Sequence, residues 1–367
     1  MTAVREPPGE IAPAASRQVG RGRGARVAAL AAAPALAAAL SAYQLTGRSL
    51  GFDEGATVAI VSQHGSALWS AIAHDGGNMS GYYLLLHALI GAFGDGLAVL
   101  RLPSVVATVA TVALVQAIGL RLFGLRAALL AGVLAAVSLP LIYWAQTARA
   151  YALMVTFVCA AYLALVVLAQ GGGSRRHWLA YVAAMTLAMY CSFVAVLLVP
   201  AQLVVLARRH HRDALRRLVT ALVAVGVLCV PLAVLAAGRG SGQLFWVPRP
   251  TRMVETQVMQ SLTSAGLAPS FHHIAITSTT MWATVAAVVA VLGLTIWRAR
   301  RGEDVWPMAL VLCWCALPAS LTFLWSFVGQ PVFEPRNLIA STPALALVLA
   351  PPLAQALDRR RAARAGT

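Results

Sequence analysis

The sequence VAALAAAPALAAALSAY at 27–43 is followed, a few residues later, by LGFDEG at 50–55. The first stretch is a continuous apolar run close to the length of about 20 residues that a helix needs to cross a bilayer. The second stretch holds Asp53 and Glu54 side by side, in a chain with only 12 acidic residues. Carboxylates beside a membrane helix are costly unless they contact water, a cation or a reacting group. We therefore take Asp53 and Glu54 as the candidate chemical centre; the alternative is that they mark a helix end that faces water.

The composition of the whole chain predicts a membrane protein. Of its 367 residues 60% are apolar and 11% are charged, and the mean hydropathy is +0.76. A soluble domain is about a quarter charged. The apolar runs repeat along the chain with short arginine-bearing links between them, which predicts an all-α, polytopic transmembrane protein of about ten helices. No segment is long and polar enough for a separate soluble domain, so we expect one membrane domain at 27–357.

The basic residues report topology rather than a nucleic-acid surface. All 28 are arginine, the net charge is +16, and most of them lie in the links between apolar runs. This is the pattern that keeps a loop in the cytoplasm, so we expect membrane lipids and no nucleic acid as partners. An N-terminal tail at 1–26, expected to be disordered, and a basic tail at 358–367 are both assigned to the cytoplasm. The arginine-rich, lysine-free usage is typical of a bacterial protein from a high-GC genome.

The arginine links order the predicted spans in the cell (inner) membrane and leave both termini inside. The predicted spans with stated bounds are 27–43, 97–120, 127–144, 218–237, 276–297 and 305–327. A further span ends before the link at 171–174, and the last one ends at Asp358. Residues 178–207 have arginines at both ends, which favours two short helices with a break near 190–193; a single crossing remains open. The first external loop, 46–97, has short apolar faces at 56–64, 67–74 and 82–93, expected to form amphipathic interfacial helices.

Several arginines are assigned to the external side, where topology does not call for them. They are Arg48, Arg101, Arg149, Arg239, Arg249, Arg252 and Arg336. Guanidinium forks bind phosphate through two hydrogen bonds and keep their charge in a low dielectric. An anionic ligand is therefore one explanation, and pairing with an external carboxylate or snorkelling is the other. We favour the ligand for Arg149 and Arg336 and the structural explanation for Arg48, Arg101 and Arg239.

No sequence feature supports a cofactor or metal. The five cysteines lie in or beside apolar runs and predict no disulfide framework. External histidines are present, but they lack the spacing of zinc ligands. We therefore expect neither a metal nor a cofactor.

Short motifs then occur in a recognisable order. They are Asp53-Glu54, NMSGYYLLLH at 78–87, Phe93-Gly94, LRLPS at 100–104, YWAQTARAYAL at 143–153 and PRNL at 335–338. In this order, and with their predicted location on one side of the membrane, they resemble the GT-C membrane glycosyltransferases of the family 39 type. That group includes the protein O-mannosyltransferases and the aminoarabinose transferase of lipid A. The resemblance runs from about residue 27 to residue 356, and it rests on the order of the motifs because none is specific alone.

The resemblance implies an enzyme that moves a sugar, by default mannose, from a polyprenyl-phosphate donor to a lipid, glycan or protein acceptor. Transfer would occur on the extracytoplasmic side with inversion at the anomeric carbon. Asp53 would be the general base, and Glu54 would orient the acceptor or tune Asp53. Arg336 would neutralise the leaving phosphate, with help from Arg149 or Tyr151. The other candidate substrate-binding residues are Tyr82, Tyr83, His87, Arg101, Trp246 and Arg249.

The chain departs from the family pattern in places, and other functions stay open. Met79-Ser80-Gly81 stands where relatives often have Pro-Pro, and no acidic residue lies near 146–149, which argues against a metal between the first two external loops. Trp246 is typical of an interfacial anchor, with stacking on a sugar as the alternative. The competing functions are a lipid or solute transporter or flippase and an inactive scaffold of the same fold. Transporters usually carry internal repeats and charges near the membrane midplane, and we see neither here.

Overall fold

The computed structural model describes residues 14–171, 173–208, 212–239, 247–264 and 275–365, and within these ranges the secondary structure is helical, with no strand. The first part of the chain contains α1 Ala14–Ala42, α2 Phe52–Val61, α3 Gly65–His74, α4 Ser80–Phe93, α5 Leu97–Phe123, α6 Leu125–Ala136, α7 Leu139–Ala145, α8 Tyr151–Ala169 and α9 Arg175–Cys191. Helix α1 already begins at Ala14, within the segment that the sequence assigns to the N-terminal tail.

The second part begins with a 3-10 turn at Phe193–Leu198 that leads into the next helix. The helices are α10 Val199–Arg208, α11 Arg212–Leu228, α12 Val230–Arg239, α13 Arg252–Thr263, α14 Ala275–Arg300, α15 Trp306–Val328, α16 Pro335–Leu338 and, after a 3-10 turn at Ile339–Ser341, α17 Thr342–Ala365. Helix α17 continues past Asp358 through the basic C-terminal residues.

The polytopic all-α architecture is confirmed. Within the described ranges, 6 helices are long and apolar enough to cross a membrane, and the number rises to 8 if each of two bent pairs forms one span. The bent pairs are α6 with α7, which turn by 57°, and α11 with α12, which turn by 56°. The chain breaks at Ser192, between α9 and the following 3-10 turn, inside the interval predicted for a break. Whether 178–207 crosses once or twice stays a prediction.

Helix α8 forms the centre of the core. Its residues are mostly small or β-branched and apolar on all sides, which is typical of a helix that is surrounded by others. It packs against α5 and α9. At its middle, Tyr162 stacks on Trp314 of α15 with 3.8 Å between ring centroids and 6° between planes. Thr111 of α5 and Thr156 of α8 share a hydrogen bond of 2.9 Å, so a polar contact also joins these two helices.

The segment between α1 and α5 is folded as three short helices, α2, α3 and α4, as predicted from its apolar faces. Helix α4 lies close against α9, since a Cβ at Gly81 would come within 3.1 Å of Tyr190 Cβ and 3.3 Å of its carbonyl oxygen. This close contact leaves no room for a side chain at Gly81 unless Tyr190 moves. The loop thereby seats α2, and with it Asp53 and Glu54, against the helix bundle.

Candidate active site

The adjacent carboxylates of α2 point to different surroundings. Gly51 caps the helix, so Asp53 and Glu54 are its second and third residues. Neighbouring positions on a helix are turned by about 100° from each other. Asp53 is therefore half-exposed, whereas Glu54 retains 2% of its exposure. The pair is thus one carboxylate that faces a cavity and one that faces the core.

Glu54 is fully engaged in the core. Nε and Nη2 of Arg101 donate to its two carboxylate oxygens at 2.9 and 3.0 Å. The backbone N–H groups of Gly51 and Ala148 donate to the same carboxylate at 3.0 and 2.8 Å. Burial alone would raise the pKa of Glu54, but the hydrogen bonds from Arg101 and the two backbone amides hold this pKa below its ordinary value. Glu54 is therefore held as a buried anion.

The remaining donors of Arg101 also have partners. Its Nη1 bonds to the carbonyl oxygens of Leu45 and Arg48, and its Nη2 also bonds to that of Ser49. Glu54 was expected to orient the acceptor or to tune Asp53, and Arg101 was expected to bind substrate. Neither side chain lines the Asp53 cavity in this arrangement, and the expected roles stay predictions. Both side chains are buried, and their hydrogen bonds tie α2 and α5 to the 45–49 turn and to the loop before α8.

Asp53 faces a cavity of about 300 Å³ together with Arg336. Asp53 Oδ2 accepts a hydrogen bond of 3.1 Å from Arg336 Nη1, across 283 residues of sequence. The cavity walls come from α2, α7, α13 and the chain around α16. The lining residues are Asp53, Tyr143, Trp144, Pro248, Val254, Gln257, Val258, Ser261, Glu334, Pro335 and Arg336. The structure thus brings together the proposed base and the proposed phosphate ligand, which lie at opposite ends of the chain.

Arg149 lies directly behind Asp53. Its Nη1 donates to the Asp53 carbonyl oxygen at 3.2 Å and to Thr57 Oγ1 at 3.1 Å. Its guanidinium also lies 5.7 Å from the centre of the Tyr151 ring. The Nε–H of Arg149 is buried and finds no acceptor among the described residues. The side chain of Arg149 therefore holds the backbone of α2 at Asp53. It brings a positive charge near Asp53 but does not line the cavity.

Tyr82, Tyr83 and His87, which were expected to bind substrate, lie outside the Asp53 cavity, and their expected role stays a prediction. The Tyr83 hydroxyl donates to Asp75 Oδ2 at 3.0 Å, and the Tyr82 hydroxyl is 3.5 Å from the carbonyl oxygen of Leu100. His87 Nδ1 lies 2.7 Å from the Val61 carbonyl oxygen at the end of α2. Each of these side chains holds α4 against a neighbouring segment, and none lines the cavity at Asp53.

The other candidates lie around the same region. Tyr151 lines a second cavity of about 300 Å³, which it shares with Asn78, Ser192, Arg239 and Asn337 among others. Arg249 is exposed next to Pro248, which lines the Asp53 cavity. Trp246 lies outside the described residues, so its predicted role stays a prediction.

An apolar groove adjoins the Asp53 cavity on the other side of α13. Val254, Gln257, Val258 and Ser261 of α13 face the cavity, while Met259 and Leu262 face the groove. Two adjoining apolar spaces of about 310 and 370 Å³ form the groove, between α13, α14, α15 and α17. They share the residues Leu262, Thr263, Thr284, Thr342 and Leu345. The charged cavity and the apolar groove therefore lie on opposite sides of α13, and the groove is lined by candidate membrane-spanning helices.

Metal binding finds no support in the part of the chain that is described. Within those ranges, no three His, Cys, Asp or Glu side chains come together in a way that could hold an ion. Asp53, the exposed carboxylate of the site, is instead paired with Arg336. The charged groups that line the cavity are thus the Asp53–Arg336 pair and the carboxylate of Glu334.

Several residues that line the cavity were not predicted as site residues from the sequence, namely Tyr143, Trp144, Gln257, Ser261 and Glu334. A signal was available for some of them. Tyr143 and Trp144 belong to the motif at 143–153, and Glu334 stands directly before Pro335-Arg336. The sequence of α13 gave no such signal. Which of its residues face the cavity depends on how the helix is rotated against its neighbours, and no sequence motif shows this rotation.

Comparison with known proteins finds one matching family model and several solved structures of similar fold. A family model described as dolichyl-phosphate-mannose-protein mannosyltransferase matches residues 77–236. ArnT from Cupriavidus metallidurans, solved with bound undecaprenyl phosphate, aligns with a TM-score of 0.53 and 18% identity, covering 89% of this chain and 59% of that one. The Archaeoglobus fulgidus oligosaccharyltransferase in its apo form aligns with a TM-score of 0.59 and 12% identity, covering 93% of this chain and 51% of that one. No curated protein matches by sequence.

The structural alignments concern the fold of the chain. It spans between about half and three-fifths of the length of the solved proteins it matches. At this level of identity the likeness shows the fold alone. The family-model match covers the segment from the turn before α4 to α12, which contains the motifs at 78–87, 100–104 and 143–153. The chain therefore shares the fold of ArnT and of the archaeal oligosaccharyltransferase, and the resemblance that its motifs predict is confirmed at the level of the fold.

Proposed function

We propose that this protein is a membrane glycosyltransferase that moves a sugar from a polyprenyl-phosphate donor to an acceptor hydroxyl. The observation that carries the proposal is the Asp53–Arg336 pair in the 300 Å³ cavity. Such a transfer needs one base for the acceptor and one fixed cation for the leaving phosphate. This pair supplies both groups within 3.1 Å of each other.

The chemistry follows from these two side chains. Asp53 takes the proton of the acceptor hydroxyl while the acceptor oxygen forms a bond to the anomeric carbon. The bond from that carbon to the phosphate oxygen breaks, and the phosphate leaves with the electron pair. Attack from the face opposite the leaving group inverts the configuration at the anomeric carbon. Arg336 stabilises the charge on the departing phosphate, and its planar fork suits a phosphate better than a point charge does.

The Asp53–Arg336 pair also suggests how donor binding prepares the base. Before the donor arrives, Arg336 donates to Asp53, so the carboxylate already has a partner. A phosphate that binds Arg336 competes for the same guanidinium and frees one carboxylate oxygen of Asp53. The acceptor hydroxyl can then occupy the position that Arg336 leaves. On this mechanism one oxygen of Asp53 is free to take the acceptor proton once the donor is in place.

The apolar groove supports a lipid-linked donor. It adjoins the charged cavity across α13 and runs between membrane-spanning helices. A prenyl chain in this groove would place its phosphate near Arg336, because Phe333 lines the groove and is separated from Arg336 by only two residues. Burial of a prenyl chain is favourable by about 0.8 kcal/mol for each CH₂. The groove would then supply most of the affinity, and the cavity would supply the chemistry.

The finer features of the function are part of the same proposal. We place the reaction on the extracytoplasmic side of the bacterial cell membrane, because the arginine pattern assigns 46–97 and 329–336 to that side. Mannose is the default sugar. The acceptor is a lipid, a glycan or a protein of the cell envelope.

The test is transfer from a polyprenyl-phosphate sugar in proteoliposomes that contain the purified protein. Radiolabelled donors with a neutral hexose, a pentose, an amino-pentose and a uronic acid would be offered with a membrane extract as the source of acceptors. We expect the wild type to form a labelled product from at least one donor and the Asp53→Asn variant to form almost none. If the wild type transfers no sugar from any of them, the proposed function is wrong.

A further inference from the structure

We propose that Glu334 is a specificity-determining residue, which accepts a hydrogen bond from a hydroxyl group of the transferred sugar. The inference rests on the proposed function and assigns a role to a carboxylate that the reaction as described does not use. Glu334 lines the same cavity as Asp53 and Arg336. Because it stands just before α16, it lies two residues from the arginine that is proposed to hold the phosphate.

Glu334 has no structural task among the described residues. It precedes α16 at the capping position, but its side chain makes no capping hydrogen bond. No ion pair within 4.0 Å or hydrogen bond engages its carboxylate in the described ranges. By contrast, Asp53 and Glu54 both have arginine partners. Glu334 is thus a half-buried carboxylate that faces a cavity with its hydrogen-bonding capacity free.

Such a carboxylate has an energetic cost that a ligand can remove. Burial raises the pKa of Glu334, and the charge of Arg336 offsets only part of this effect. A polar group that is withdrawn from water without a partner destabilises the protein unless a ligand supplies the missing hydrogen bond. Groups of this kind in a cleft are typical of functional sites. The free acceptor at Glu334 therefore indicates a ligand that donates a hydrogen bond.

The free carboxylate also restricts the chemistry of the ligand. A carboxylate only accepts hydrogen bonds, so the group that faces Glu334 must be a donor. A sugar hydroxyl is such a donor, whereas a second carboxylate only accepts and would also repel Glu334. Glu334 therefore favours a neutral, hydroxyl-bearing sugar over an acidic one.

The other walls suit the same ligand. Tyr143 and Trp144 supply aromatic surface for the apolar face of a sugar ring, and Gln257 supplies an amide that both donates and accepts. A sugar that carries its own carboxylate would meet the carboxylates of Asp53 and Glu334 in one cavity. We therefore expect the site to discriminate against a uronic acid in favour of a neutral hexose or pentose.

Glu334→Gln and Glu334→Asp are the test variants. Loss of a hydrogen bond to a charged group should lower kcat/KM for the donor that the wild type uses best by about 10- to 100-fold. Glu334→Asp keeps a carboxylate on a shorter side chain and should retain more of the activity than Glu334→Gln. Glu303→Gln is the matched control, because Glu303 pairs with Arg298 in an exposed loop away from the cavity. This control should transfer sugar at the wild-type rate.

Deoxy analogues of the same donor make the test specific. If Glu334 holds one hydroxyl, the donor that lacks this hydroxyl should be used equally by the wild type and Glu334→Gln, to within about twofold, since the interaction is absent from both. Donors that lack any other hydroxyl should keep the full difference.

An equal loss with every deoxy donor would show that Glu334 acts only on the shape of the site, and the inference would be overturned. Unchanged kcat/KM in Glu334→Gln would overturn it as well, while wild-type transfer would leave the proposed function intact. A wild type that transfers no sugar at all would instead reject the proposed function, and this inference with it.

Discussion

Arg101 reaches from α5 to the N-terminal turn of α2, where its Nε and Nη2 donate to the two carboxylate oxygens of Glu54 at 2.9 and 3.0 Å. Both side chains are almost fully buried, at 1% and 2% exposure. Glu54 is the sequence neighbour of Asp53, so this bidentate pair fixes the helix turn that presents Asp53 to the cavity. The placement of the proposed base thus depends on a salt bridge that itself touches no substrate.

The first prediction concerns the stability that this pair contributes. Glu54→Gln removes the charge and leaves Arg101 buried without an anion, which typically costs about 3–5 kcal/mol. We expect a clear decrease in the thermal unfolding temperature of the detergent-solubilised protein. Glu303→Gln removes one partner of an exposed pair and should change this temperature little. Equal unfolding temperatures for Glu54→Gln and the wild type would contradict a structural role of the pair.

The second prediction concerns the pH dependence of the same contribution. The pKa of Glu54 is held below its ordinary value of 4.5 in the folded protein. A lowered folded-state pKa means that the stabilisation is present above about pH 4.5 and is lost as the pH falls through the folded pKa. The gap in unfolding temperature between the wild type and Glu54→Gln should therefore be largest near pH 7 and should shrink in acid. A gap that grows on acidification would contradict this assignment.

The third prediction concerns Asp53. Asp53→Asn keeps the size of the side chain and a hydrogen bond to Arg336, but it removes the proton acceptor. We expect single-turnover transfer to slow by about two to four orders of magnitude, the usual effect of losing a positioned base. Binding of the anionic donor should persist or tighten, because one negative charge leaves the cavity. Asp95→Asn is the control, since Asp95 is exposed in the loop before α5. Near-normal transfer by Asp53→Asn would assign the base to another residue.

The fourth prediction concerns Arg336. Arg336→Lys retains a positive charge but loses the planar fork that can hold a phosphate through two hydrogen bonds. We expect kcat/KM to fall substantially in Arg336→Lys and to fall further in Arg336→Ala. Arg298→Lys is the matched control, because Arg298 pairs with Glu303 outside the cavity. Wild-type turnover in both Arg336 variants with the same donor would remove the phosphate assignment.

The helical architecture could be predicted from the sequence because it depends on local composition. Apolar runs between arginine links are long enough to define spans, and the described residues contain 6 to 8 candidate spans where about ten were predicted. The break at Ser192 was also predictable, since arginines at both ends of 178–207 constrain the path of the chain. The bends within the α6–α7 and α11–α12 pairs were not predicted. Both pairs have a proline near the bend, Pro140 and Pro231, at the start of the second helix, where it is compatible with helical geometry.

The site could be predicted only in part, because its side chains come from distant segments. The motifs pointed to Asp53 and Arg336, and the structure brings these two side chains together across 283 residues. The motifs did not distinguish side chains that face the cavity from those that hold the motif in place. Glu54, Arg101, Tyr82 and Tyr83 belong to the second group, since each of them is buried against a partner. Only the three-dimensional packing separates these two roles.

The last prediction concerns the orientation of the chain in the membrane. Single cysteines would be placed at exposed positions in a background without the five native cysteines, and labelled with a reagent that does not cross the membrane. Arginine-rich links predict that Arg126 and Arg300 face the cytoplasm, while Ser49 and Arg249 face outward.

The pair that tests the path of residues 178–207 is Arg176, near the start of α9, and Ala207, near the end of α10. Two short helices that meet at Ser192 would leave both positions on the cytoplasmic side. If Arg176 and Ala207 label from opposite sides, residues 178–207 cross the membrane once, and the side of the membrane assigned to the later loops must be reversed.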